Sequence, residues 1–195
     1  MEIEGTRYSI PGDFARIEIG QEVAGLGLVV VQVTHDRVEV RQERIEREAR
    51  ELAAAWELSS DVPLWSGRFV DPVPDAANSA FGTHSVYNGV PRSQHSGADF
   101  ASPTGTPVLA PGGGRVVLAE SLYFTGGTVV IDHGLGLVSL LAHLSRIDVR
   151  VGTDVVTGAV IGLVGATGRV TGPHLHWIVR YGAVSVDPMS VFTLE

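Results

Sequence analysis

Cysteine and lysine are both missing from this 195-residue chain. Without cysteine there is no disulfide, no thiol nucleophile and no thiolate metal site, so any ion must be held by histidine and carboxylate. Without lysine there is no attachment point for a lipoyl or biotinyl group, and the glycine clusters lack the Lys-Ser/Thr that completes a phosphate loop. All 14 basic residues are arginine, set against 22 acidic ones for a formal charge of −8. That leaves no basic surplus to neutralise duplex phosphates, so nucleic acid is not an expected partner. No apolar run reaches membrane-spanning length. Met1-Glu2-Ile3-Glu4 has neither the basic region nor the apolar stretch of a secretory signal. Composition is compatible with a cytoplasmic chain and with a piece of a longer exported protein whose leader or anchor is absent.

What is present points to β structure. The 44% hydrophobic content is enough for a core, and 24 glycines are too many for a helical bundle. They fall between Val/Ile/Leu runs, as in a fold of short strands and tight turns. Ile17 and Ile19 alternate with polar neighbours, Leu28 to Val33 is an apolar run, and Val38 and Val40 alternate again. Over 42–57 the period changes. Ile45, Ala49, Leu52 and Trp56 recur at helical spacing among Glu and Arg, which predicts one amphipathic helix with a solvated charged face. Residues 59–94 are rich in Ser, Pro, Asn and Gly and read as a linker merging into loops. Strands are then expected at Thr106 to Ala110, Gly114 to Ala119, Gly127 to Asp132, Val138 to Ala142, Val155 to Val164 and Leu175 to Arg180. The expected division is an N-terminal β segment plus helix over 1–60 and one larger domain over 61–195.

Five of the seven histidines lie between 95 and 176. In His95-Ser96-Gly97-Ala98-Asp99, a loop running into a strand can turn the imidazole and the carboxylate onto one ion. In His174-Leu175-His176-Trp177, a strand sends 174 and 176 to one side, and Leu175 and Trp177 to the core. His143 ends an apolar strand, His133 sits in Asp132-His133-Gly134 and tethers loop backbone, and His84 and His35 are assigned no chemistry. Three N and O ligands with an open fourth position are the usual form of catalytic zinc. His95, Asp99 and one of His174 and His176 meet that requirement and leave two histidines for proton transfer. No His-Glu-x-x-His helix is present, and Ser79, Ser96 and Ser139 lack the Gly-x-Ser-x-Gly elbow of a serine hydrolase. A phosphohistidine carrier has no use for the His95/Asp99 pair.

Taken together and in order, several stretches resemble the LytM/lysostaphin-type zinc endopeptidases of peptidase family M23. They are Ser79-Ala80-Phe81-Gly82, His95 to Phe100, Gly105 to Pro111, Gly127 to Gly134, Ala142-His143-Leu144-Ser145, Gly162 to Gly168 and Gly172 to Trp177. The resemblance covers about residues 65–190. It implies His95, Asp99 and His176 as zinc ligands and His143 and His174 as the catalytic pair. It implies a mainly β fold, a sandwich of the duplicated-hybrid-motif type with an open groove. The implied activity is hydrolysis of peptide bonds in peptidoglycan stems or cross-links by a metal-activated water. A noncatalytic envelope-binding or amidase-regulating module on the same scaffold is the alternative, but such relatives typically lose zinc ligands, and all five residues are present here. The resemblance further implies a place in the cell envelope, periplasmic or extracellular, with peptidoglycan peptides as substrate and envelope proteins as partners of the N-terminal segment. One departure stands out: most members have Tyr two residues before the histidine matching His143, and this chain has Leu141.

Overall fold

The computed structural model describes residues 17–19, 31–33, 36–84, 86–87, 90–91 and 94–194. His35, the Leu28 to Val30 part of the first apolar run and the N-terminal four residues lie outside the described residues. By compactness the chain divides into Met1–Arg47 and Glu48–Glu195. In the first unit, β1 (Ile17–Ile19) pairs antiparallel with β2 (Val31–Val33), with Ile17 opposite Val33 and Ile19 opposite Val31.

Helix α1 runs Asp36–Glu57, so Val38 and Val40 are helical rather than part of a strand. A Val-Glu-Val triplet is too short for alternation to distinguish the two states, and the Arg/Glu-rich stretch that follows extends the helix back over it. The buried stripe differs by one residue from expectation. Ala49 is exposed, while Glu48 is 6% exposed and accepts the backbone N–H of Tyr123 at 2.6 Å. A buried carboxylate is tolerated there because it accepts a backbone hydrogen bond from a turn. Leu52, Ala55 and Trp56 complete the stripe and pack on the sheet.

That sheet is antiparallel throughout. Its main path runs β11 (Asp154–Val155), β8 (Gly114–Leu122), β9 (Gly126–Gly134), β10 (Leu137–Ile147), β13 (Leu175–Tyr181), β6 (Ala98–Phe100) and β3 (Ala77–Ser79). Off this path, β12 (Val160–Val164) pairs with the far end of β10 and with β7 (Pro107–Leu109), and β14 (Val184–Val186) pairs with β13. A short hairpin of β4 (Val86–Tyr87) and β5 (Val90–Pro91) stands apart. The expected single strand from Val155 to Val164 is two strands, because a turn at Thr157 and Gly158 interrupts it. The stretch expected to be a linker is laid against the domain. Phe69 and Val73 are buried, Leu64 N–H bonds to the His133 carbonyl, and Val70 N–H bonds to the Pro111 carbonyl.

All nine residues of β9 are buried. Val129 and Ile131 enter one apolar cluster, with Leu141, Leu144 and Trp177, and Val130 enters the other, with Leu140 and Ala142 under α1. Strands covered on both faces lose polar alternation, which is why this region reads as apolar runs.

A chain of hydrogen bonds crosses the first cluster. His133 Nδ1–H donates to the Gly113 carbonyl at 2.7 Å, and its Nε2 faces Ser139 Oγ at 2.9 Å. Ser139 Oγ in turn accepts Trp177 Nε1–H at 3.1 Å. The chain closes only with a neutral imidazole, and burial pushes the His133 pKa down to about 4. An unfolded chain protonates this histidine near pH 6.5, so the unfolded state binds more protons between about pH 6.5 and 4. Stability supplied by the buried neutral ring is full above that window and is lost as pH falls through it. Urea denaturation of chelator-treated protein at about pH 7 and about pH 4.5 should therefore show a loss of roughly 2 kcal/mol from this group.

Candidate metal centre

Three adjacent strands carry the site. On β13, His176 lies opposite Asp99 of β6 and opposite Ala142 of β10. His95 lies in the loop leading into β6, and His174 precedes β13 in an isolated bridge with Gly165. The expected separation of faces is present: Leu175 and Trp177 are fully buried, while the side chains of His174 and His176 are 22% and 13% exposed.

Donor atoms of three residues converge. His95 Nε2 is 3.1 Å from Asp99 Oδ1 and 3.2 Å from His176 Nδ1, and His176 Nδ1 is 2.6 Å from Asp99 Oδ1. His95 is oriented from behind, its Nδ1–H donating to the Ala80 carbonyl at 3.1 Å, which leaves the Nε2 lone pair facing the cluster. Atoms bonded to tetrahedral zinc at about 2.0–2.1 Å stand about 3.3 Å apart, so the set fits once the Asp99–His176 contact opens by about 0.7 Å. Burial works against ionisation of Asp99, but its hydrogen bond with His176 and the fields of His176, His95 and His174 hold its pKa below the ordinary carboxylate value. Two imidazoles and one carboxylate leave a zinc ion net positive.

His143 and His174 flank this triad. Their ring centroids are 4.7 Å apart, and His143 lies 6.0 Å from His176. Each has Nδ1–H on a backbone carbonyl: His143 on Thr167 at 2.9 Å and His174 on Gly172 at 3.0 Å. In the neutral ring that bond puts the lone pair on Nε2. His174 Nε2 is 4.0 Å from Asp99 Oδ1. Burial lowers the His143 pKa to about 4, with the neighbouring His174 and His176 adding to it against the Thr167 bond. His143 sits at a bulge, where the register of β10 against β9 shifts between Leu141 and Leu144, and its φ of 66° is left-handed. That conformation costs a non-glycine residue on the order of 1–3 kcal/mol, and here it turns the ring toward the triad.

Comparison with known proteins agrees with this geometry. A family model described as peptidase family M23 matches residues 93–188. A Pseudomonas aeruginosa crystal structure assigned to peptidase M23 is 37% identical, with a TM-score of 0.68, over 92% of this chain and 74% of that one. The chain belongs to peptidase family M23. The catalytic domain of lysostaphin from Staphylococcus simulans is 31% identical with a TM-score of 0.54, covering 60% of this M23 chain and 90% of that domain. Peptidoglycan DD-endopeptidase ShyA of Vibrio cholerae is 51% identical over 88 residues, 44% of this chain and 20% of ShyA. The chain spans about a fifth of the length of the curated relatives it matches. The mainly β fold and the His-Asp-His triad, typical of zinc-dependent M23 peptidases, are thus shared with known members.

Within the M23 site, Leu141 is fully buried in the core opposite Val129 and Trp177, so the position that commonly carries Tyr serves packing here. His133 tethers loop backbone as expected, from the end of β9, and His84 is exposed and apart from the cluster. Reading residues by chemical type passed over Gly97. A Cβ at Gly97 would collide with the Trp177 carbonyl oxygen and lie 3.0 Å from His176 Cε1. Its only sequence signal is its place between two candidate ligands. Gly97→Ala should push β6 off β13, costing roughly 1–3 kcal/mol of stability. It should also lower zinc per chain, read by elemental analysis beside the melting temperature. Full zinc content in this variant would contradict the close-approach argument.

Proposed function

We propose that this chain is a zinc-dependent endopeptidase that hydrolyses peptide bonds in peptidoglycan stems or cross-links. The observation that carries the reading is the convergence of the His95, Asp99 and His176 donor atoms beside two further histidines with open Nε2 positions. ShyA, a peptidoglycan DD-endopeptidase, supports the substrate class. His95, Asp99 and His176 would hold zinc, which supplies a Lewis acid for the scissile carbonyl and acidifies water.

The remaining steps fall to the chain's own residues. His143, neutral at ordinary pH with Nδ1–H occupied by Thr167, takes the proton of the attacking water at Nε2. His174 also donates from Nδ1 to backbone, and with a second proton on Nε2 it hydrogen-bonds the charge that develops on the carbonyl oxygen or protonates the leaving amine. No covalent enzyme intermediate is needed. Residues 61–195 carry this activity in the proposal, and residues 1–60 accompany it as the segment available to envelope proteins. No helix of the described residues is long and apolar enough to cross a membrane. Placement in the cell envelope, periplasmic or extracellular, follows from the substrate.

Two measurements test this. His95→Ala, Asp99→Ala and His176→Ala should each lose zinc, whereas His143→Ala and His174→Ala should keep it and lose turnover by roughly 10²–10⁴-fold. Zinc retained by His176→Ala and lost by His174→Ala would exchange the roles within the His-Leu-His pair. Zinc-loaded protein should release new amino termini from peptidoglycan, and a chelator should stop the release. Mass spectrometry of the products identifies the bond, and absence of release with zinc verified would favour a noncatalytic module.

A further inference from the structure

Thr167 joins three segments around His143. Its carbonyl accepts the His143 Nδ1–H at 2.9 Å. Its hydroxyl accepts Gly127 N–H at 2.9 Å and donates to the Leu144 carbonyl at 2.8 Å. Gly127 and Leu144 are register partners across β9 and β10, at the point where the ladder resumes after the bulge. The hydroxyl therefore bridges the two strands immediately beyond His143, while the carbonyl of the same residue holds its ring.

The surroundings leave Thr167 little freedom. A Cβ on Gly126 would collide with the Thr167 hydroxyl and carbonyl, and one on Gly168 would collide with Gly126 and the Phe124 carbonyl. Arg169 N–H bonds to the Phe124 carbonyl at 2.9 Å, and His143 N–H bonds to the Thr125 carbonyl at 2.8 Å. The turn between β8 and β9, the bulge of β10 and the 165–169 loop are thus fastened on both sides of the histidine. A backbone carbonyl can select the Nδ1–H tautomer of His143 only if it stays within hydrogen-bond reach, and the hydroxyl ties the residue that bears that carbonyl directly to the bulge.

We propose that Thr167 is a positioning residue whose hydroxyl locks the bulge and so holds His143 in the ring orientation and tautomer that direct Nε2 into the site. This inference rests on the peptidase reading for its consequence in turnover, but not for its consequence in the ring itself. Thr167 touches neither the triad nor any reacting atom in this role. It acts through His143.

The test uses Thr167→Val, which keeps the shape and removes the hydroxyl, and Thr167→Ser, which keeps the hydroxyl. On peptidoglycan peptides with zinc verified, Thr167→Val should lower kcat roughly 10–100-fold, the scale of a reacting group displaced by about 1 Å, with KM and zinc content unchanged. Thr167→Ser should restore most of the rate. In a His143→Ala background Thr167→Val should cost nothing further, because the group it positions is gone. Ring ¹⁵N spectra of His143 should show the Nδ1–H tautomer in the wild type and a mixture in Thr167→Val. A wild-type kcat in Thr167→Val, or an equal loss in Thr167→Ser and Thr167→Val, would overturn the proposal. If the wild type cleaves no peptide, the peptidase reading fails alone. The spectra then decide for Thr167, an unchanged tautomer overturning it and a mixed one supporting it.

Discussion

The pairing of β13 with β6 on one side and β10 on the other is the constraint from which the site follows. Asp99, His176 and Ala142 are successive partners across three strands, so two proposed ligands are adjacent and the third strand delivers its histidine one residue later. A slip of one residue in either pairing would turn these side chains to the opposite face. The register is held by what lies beneath it. Leu175, Trp177, Ala98 and Phe100 alternate with the site residues and are all buried, so the hydrophobic core and the metal centre are two faces of one pairing.

Regular pairing alone would leave His143 on the wrong path. It follows Ala142, which packs with Leu140 under α1, and an unbroken strand would turn position 143 to the opposite face, with Leu141. The bulge spends backbone strain at one residue to re-aim it, and the cost is met by hydrogen bonds from segments that touch no ion. Two other sets of buried polar groups are also paired. His133, Ser139 and Trp177 form a closed donor chain inside the core, and Glu48 completes the turn at Tyr123. Neutral His133 inside an apolar cluster is stable only while its proton count stays fixed, which ties fold stability to pH at a place distant in role from the metal.

Donor chemistry was legible because few residue types can do it. With cysteine absent, His95, Asp99 and the His-Leu-His pair were the natural candidates for a metal, and the period of two already placed Leu175 and Trp177 on the core side. The fully buried strands were visible as apolar runs, and their order and spacing carried the family likeness. Boundaries were less visible: Val38 and Val40 belong to α1, and the apolar run after Val155 is broken by a turn. Short apolar patterns satisfy more than one period, and only the long-range partner decides between them.

Tertiary structure alone decided what depends on contact at a distance. The choice of Glu48 over Ala49 on the buried stripe required a backbone N–H from a turn 75 residues away in sequence. The need for glycine at position 97 came from the Trp177 carbonyl pressed against it, and the tautomers of His143 and His174 came from the carbonyls of Thr167 and Gly172. The sequence by itself determined which groups are able to bind an ion and move a proton, since that is a property of each side chain. Which nitrogen faces the site, and how close the donors stand, is a property of backbone atoms that carry no residue identity. For that reason it could be read only after the strands were paired.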